Sequence, residues 1–189
     1  MCTLTLGWRV FDDAPVVVAA NRDELLGRPS EPPAVTDGDP SILAPRDAEA
    51  GGTWIGANEH GVVVAITNRW VDVPGGGERS RGLLVRDVLG AASTHAARAV
   101  VDDALATHTY DGFNLVVAER GGEATPGDPT ALYFEWDGGL DVRRLDPGVH
   151  VVVNVGLDGE YFEPEGDPDR GAEQAGNATR LRDALTPES

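Results

Sequence analysis

Val62-Val63-Val64-Ala65-Ile66 is an uninterrupted apolar run that ends at Thr67-Asn68-Arg69. A strand of that kind leaves no polar face for water, so both of its faces must be covered by protein. Pro15-Val16-Val17-Val18-Ala19-Ala20 reads the same way. Both runs therefore imply strands buried on both faces. They point to two sheets stacked on each other with helices outside, an αββα layering of the α+β class with mainly antiparallel sheets.

The rest of the chain fits that frame. Cys2-Thr3-Leu4-Thr5-Leu6 alternates with period two and, with the Pro15–Ala20 run, predicts an opening hairpin in which Cys2 starts the first strand. Residues from about 27 to 52 are rich in Pro, Gly and Asp and predict a long loop, of a length that is uncommon in compact domains unless functional or disordered, which leaves a role in covering a site open. Thr53-Trp54-Ile55-Gly56-Ala57 and Val62 to Thr67 predict a second hairpin turning at Asn58-Glu59-His60-Gly61. Ser80 and Ser93 are N-cap residues for two helices, the second with an apolar stripe of Ala97, Val100, Val101, Ala104 and Leu105. Strands resume at 113–119, 131–136, 140–145 and 150–155, and a last helix is predicted over 175–185. With no solenoid repeat and no linker, residues 1–189 are expected to form one domain.

Composition removes several chemistries. All 15 basic residues are arginine. Without lysine there is no Walker A loop, Schiff-base enzyme or kinase site, and Gly75-Gly76-Gly77 is no phosphate cradle. A formal net charge of -17 repels phosphate backbones and anionic membranes, so nucleic acid is not an expected partner. At about 1 M salt the screening length falls to roughly 3 Å, which removes most repulsion between exposed carboxylates. Acid excess without lysine therefore predicts an acidic, halophilic protein. His60, His95, His108 and His150 show no ligand spacing, so no metal is expected. No stretch reaches the roughly 20 apolar residues of a spanning helix, nor does residue 1 onward read as a signal peptide, so a cytoplasmic location is expected.

Cys2 is the only cysteine, which rules out an intramolecular disulfide and a thiolate cluster. Its place is what singles it out. If Met1 is removed, one residue carries both a thiol and a free α-amine, and the amine, with a reference pKa of about 7.7–8.0, can take the proton of the thiol at about 8.5. Three polar clusters stand at predicted strand ends: Asn21-Arg22-Asp23-Glu24, Asn68-Arg69 and Asn154. Each alone reads as a strand terminus capped by Asx chemistry. With Cys2 they supply a nucleophile, a carboxylate for its amine and amide donors for an oxyanion.

Met1-Cys2-Thr3-Leu4, Ala20-Asn21-Arg22-Asp23-Glu24, Arg28-Pro29, Ala44-Pro45-Arg46-Asp47, Gly51-Gly52-Thr53-Trp54-Ile55-Gly56 and Asn58 through Arg69 resemble the NRDE family. Its eukaryotic member is the transport and Golgi organisation protein 2. More distantly they resemble the N-terminal-nucleophile (Ntn) hydrolases of the choloylglycine hydrolase and penicillin V acylase type. The resemblance implies the same αββα fold, with Cys2 as nucleophile, Asp23 as its amine partner, Asn68 and Asn154 as polar site residues and Arg180 as a late arginine. Where the hydrolases carry Arg before the Asn, this chain has Ala20, and Arg22 stands two residues later. NRDE proteins usually continue beyond the last helix, so a missing C-terminal segment is expected.

Two activities follow from the resemblance. One is a cysteine amidase that cleaves a small-molecule, non-peptide C–N bond through an acyl-enzyme. The other is a carrier in haem trafficking or in binding acyl-CoA and other lipids, with haem as cargo and no resident cofactor. In the carrier, Arg22, Arg46 or Arg69 would meet ligand carboxylates or phosphates. Asn21 and Glu24 complete the expected binding residues.

Overall fold

The computed structural model describes residues 1–121 and 129–186. Two antiparallel sheets lie face to face. The smaller has the order β12-β11-β10-β1-β2, built from β1 (Thr3–Trp8), β2 (Val16–Asn21), β10 (Gly148–Val153), β11 (Gly156–Leu157) and β12 (Glu160–Tyr161). The larger runs in chain order through β3 (Ser30–Thr36), β4 (Ile42–Asp47), β5 (Ile55–Asn58), β6 (Val62–Asn68), β7 (Phe113–Glu119), β8 (Ala131–Trp136) and β9 (Leu140–Arg144). Helices α1 (Arg81–Val88) and α2 (Thr94–Thr107) cover its outer face, and α3 (Pro168–Leu185) covers the outer face of the smaller sheet.

Strand alternation produces the layers directly. Val62 and Val64 of β6 and Phe113, Leu115 and Val117 of β7 point to α1 and α2, where they meet Leu84, Val88, Ala97 and Val101. Ala65, next after Val64, and Val116, between Leu115 and Val117, point inward to Leu4, Leu6 and Trp8 of β1. Val152 of β10 joins that inter-sheet core, while Val151 and Val153 turn outward to Ala178 of α3. Three apolar interfaces therefore separate four layers, α, β, β and α. Burying a Leu or Phe side chain in such an interface contributes about 1.5–3 kcal/mol.

The strand expected at 150–155 runs from Gly148 to Val153, the short β11 and β12 that follow it were not expected, and three larger departures bear on the site. The stretch predicted as a long loop holds β3 and β4. Pro32 and Pro33 are tolerated because β3 is an edge strand whose register with β4 shifts between Glu31 and Ala34. Val16–Val18 is not covered on both faces, since Val17 is 38% exposed on an edge strand while α3 lies on β10. Finally, α3 begins at Pro168, before the expected 175, because Asp167 caps it by accepting from the Arg170 N–H and Pro168 occupies the first turn. The two central helices start at the expected caps, Ser80 and Ser93.

Candidate active site

Antiparallel register gathers the site at one end of the smaller sheet. Thr3 pairs with Asn21 on one side and with Val153 on the other. One step towards the N-terminus on β1 is one step towards the C-terminus on each neighbour, so Cys2 falls between Arg22-Asp23 and Asn154. The Asp23 N–H points at the Cys2 Sγ at 3.4 Å, and the Asp23 carbonyl lies 3.9 Å from it. The Cys2 N–H donates to Asn154 Oδ1 at 3.1 Å.

Asn154 is fixed from three sides. Its Oδ1 also accepts from Gln174 Nε2 at 2.8 Å, and its Nδ2 donates to the Asn68 carbonyl at 2.7 Å. Gln174, buried on α3, donates as well to the Cys2 carbonyl at 3.0 Å. Asn154 thus joins β10, α3 and the end of β6 in the facing sheet around the backbone of Cys2. Asn21 locks the other side, with Oδ1 accepting from the Thr3 N–H at 2.9 Å and Nδ2 donating to the Met1 carbonyl at 2.8 Å. The Met1 ammonium pairs with the Asp23 carboxylate, which also faces Arg170 at 3.6 Å.

Cys2 lines a cavity of about 320 Å³ together with Asn21, Arg22, Asp23, Glu24, Asn68 and Arg81. Burial pushes the Cys2 thiol above its ordinary value; the N-terminal ammonium pulls it down, Glu24 adds to the rise, and Arg22 and Arg81 oppose it. Burial also lowers the N-terminal amine, with the Cys2 charge acting against that and Arg170 adding to it. Both changes favour the neutral pair over the separated charges.

Arg22 and Arg28 meet on Asp47, at 3.0 and 2.9 Å. The Arg22 guanidinium stacks on Trp54 at 4.2 Å and reaches Glu24 at 3.4 Å. Arg69 lies outside this cavity: it pairs with Glu135 at 2.7 Å, bonds Asn114 at 3.3 Å and faces a second, adjoining cavity of about 950 Å³. Arg46 is 59% exposed, paired with Glu31 at 3.4 Å, and lines neither cavity. Arg180 is exposed on α3 beside Asn177 and lines neither. The residues of α3 that reach the N-terminus are Gln174 and Arg170.

Gln174, Arg170 and Arg81 were not legible as site residues from the chain alone. Gln174 had one signal, as a polar residue between Gly171 and Ala178 on the buried face of α3. Arg81 had another, because a cation directly after the Ser80 N-cap opposes the helix dipole. None of the four histidines lines either cavity. Asp39, Glu59 and His60 place three ligand atoms within 4.8 Å of one another on an exposed surface outside both cavities. Among the described residues no helix is long and apolar enough to cross a membrane.

A family model described as Transport and Golgi organisation 2 matches residues 1–165. The human Transport and Golgi organization protein 2 homolog is 31% identical over 165 residues, covering 78% of this chain and 56% of that protein. The mouse homolog is 30% identical over 158 residues with the same coverage. The chain thus spans little more than half the length of these curated relatives. Among solved structures, penicillin V acylase from Agrobacterium tumefaciens matches with a TM-score of 0.39 and 13% identity, over 76% of this chain and 41% of that one.

Proposed function

The chain belongs to the Transport and Golgi organisation 2 family, and from that footing we propose that it is an N-terminal cysteine amidase acting on a small-molecule C–N bond through a thioester intermediate. One observation carries the reading: the Cys2 nitrogen and sulfur are both held, by Asn154 Oδ1 and the Asp23 backbone, at the wall of a cavity lined by polar groups.

The reaction begins with loss of Met1, which turns the Cys2 nitrogen into an α-amine still facing Asn154 Oδ1. The amine takes the thiol proton as sulfur attacks the amide carbon. A C–S bond forms, the oxyanion accepts from the side chain of Asn68 on the cavity wall, and the C–N bond breaks as the proton passes to the departing amine. Water then attacks the thioester, its proton is taken by the α-amine and returned to sulfur, and a carboxylic acid leaves. Asp23, freed from the Met1 ammonium, balances the charge on the new N-terminus. Asn154 and Gln174 are positioning residues, since their amide N–H groups are spent on Cys2, on each other and on the end of β6.

The adjoining cavity of about 950 Å³, with Trp70 and Phe162 in its wall, favours a second reading as a carrier of haem or an acyl thioester. Haem there would lack a histidine ligand, because no histidine lines either cavity. An electrophilic amide probe separates the two. The enzyme predicts a covalent adduct mapped to Cys2 and absent from Cys2→Ala. The carrier predicts no adduct, with haem or acyl-CoA bound equally well by both proteins.

A further inference from the structure

The two cavities are one cleft, because Asn68, Arg81 and Asp111 line both. Six arginines face this cleft: Arg22, Arg28, Arg69, Arg79, Arg81 and Arg170. Five have a carboxylate partner among the described residues, in Asp47, Glu135, Asp87 and Asp23. Among the described residues Arg81 has none within ion-pairing distance. Its Nη1 donates to the Gly112 carbonyl at 2.8 Å, and that is the one hydrogen bond its guanidinium makes with the described residues. Nε and Nη2 remain, the pair that a carboxylate meets in a two-pronged fashion. The surroundings sharpen the contrast. In a chain of net charge -17, where every other cleft arginine has a direct carboxylate partner, half-buried Arg81 stands at the junction of the two lobes without a direct ion pair, with Asp111 and Glu24 acting on it only from farther away. A half-buried guanidinium with two N–H-bearing nitrogens free of direct partners is a strong site for a charge-assisted bond to an anion.

We propose that Arg81 is the specificity residue of the cleft and binds a carboxylate of the ligand, placed beside the carbonyl that Cys2 attacks, with the bulkier part of the ligand in the outer lobe against Trp70 and Phe162. The proposal rests on the amidase reading for the word substrate, but not for the binding of the anion. It selects acyl compounds that carry a free carboxylate a few bonds from the scissile bond and discriminates against their neutral isosteres.

Two measurements keep the two claims apart. In the first, mono-p-nitrophenyl glutarate and p-nitrophenyl valerate are compared as acylating agents of the Met1-free protein. Sulfur bonds to the acyl carbon, nitrophenolate leaves, and the thiol proton goes to the α-amine. The carboxylate ester should acylate Cys2 about 10- to 100-fold faster, the range of a charge-assisted hydrogen bond. That ratio should fall to near one in Arg81→Gln and recover in part in Arg81→Lys. Equal rates in the unaltered protein, or a ratio that survives Arg81→Gln, would overturn the proposal. In the second, Cys2→Ala is titrated calorimetrically with N-methylglutaramate and with N,N'-dimethylglutaramide. Tighter binding of the acid, lost in the Cys2→Ala, Arg81→Gln double variant, supports Arg81 even if neither ester acylates Cys2 and the amidase reading fails. Equal binding of the two compounds counts against Arg81 whatever the esters do.

Discussion

Four donors converge on the two oxygens of Asp47: the N–H groups of Glu49 and Ala50 on Oδ1, and the guanidinium groups of Arg22 and Arg28 on Oδ2. Burial alone would make this carboxyl harder to ionise, but the Ala50 N–H, Arg28 and the Glu49 N–H outweigh it and hold the pKa below the ordinary carboxylate value. A carboxylate whose folded pKa is depressed stabilises the fold above its unfolded pKa of about 3.9, and that stability is lost as the pH falls through the folded value. Asp47→Asn should therefore cost about 2–3 kcal/mol at pH 7. In urea unfolding the gap from the unaltered protein should close as the pH drops below about 4. A gap independent of pH would show that packing, not charge, makes the contribution. Asp47 was visible in the chain only as part of Ala44-Pro45-Arg46-Asp47, where Arg46 looked the better ligand group. Its neighbours on the strand explain the exchange, since alternation turns Asp47 inward and leaves Arg46 outside.

At the scale of elements, strands whose apolar pattern is continuous were readable to the residue, as in 113–119 and 131–136. Those whose pairing alone defines them were not. β3 is exposed throughout and carries two prolines, so no hydrophobic period marks it; only its ladder with β4 does. The position of α1 is a similar case. Its cap at Ser80 was legible, but not what its first turn touches. The Thr53 N–H donates to the Gly82 carbonyl at 3.0 Å, and a Cβ on Gly52 would lie 2.2 Å from the Gly82 carbonyl carbon. Gly52 is thus required by a backbone crossing that seats α1, and with it Arg81, over the cleft. Gly52→Ala should destabilise the fold by about 1–3 kcal/mol through overpacking, read as a lowered urea midpoint. An unchanged midpoint would mean that α1 is not held there.

Over the whole molecule, the formal charge of -17 sits on a sandwich whose interior is formed by three apolar interfaces. Screening should therefore act on the surface and leave the core alone, so that stability rises from dilute buffer to multimolar KCl. Equal stability at both ends would remove the halophilic reading. The layering was legible because alternation dictates it locally. The candidate site was legible only where strand ends carry its proposed residues, at Cys2, Asn21 to Glu24, Asn68 and Asn154. Gln174 and Arg170 escaped because they stand about 170 residues from Cys2 on a helix whose docking no local pattern encodes. The most direct test of Cys2 as amine and thiol together is the intact mass of the purified protein before and after a single turnover with p-nitrophenyl valerate. The predicted result is a chain lighter by one methionine residue that gains one valeryl group, at Cys2, and then loses it to water. A chain that keeps Met1 and gains no acyl group would contradict the account.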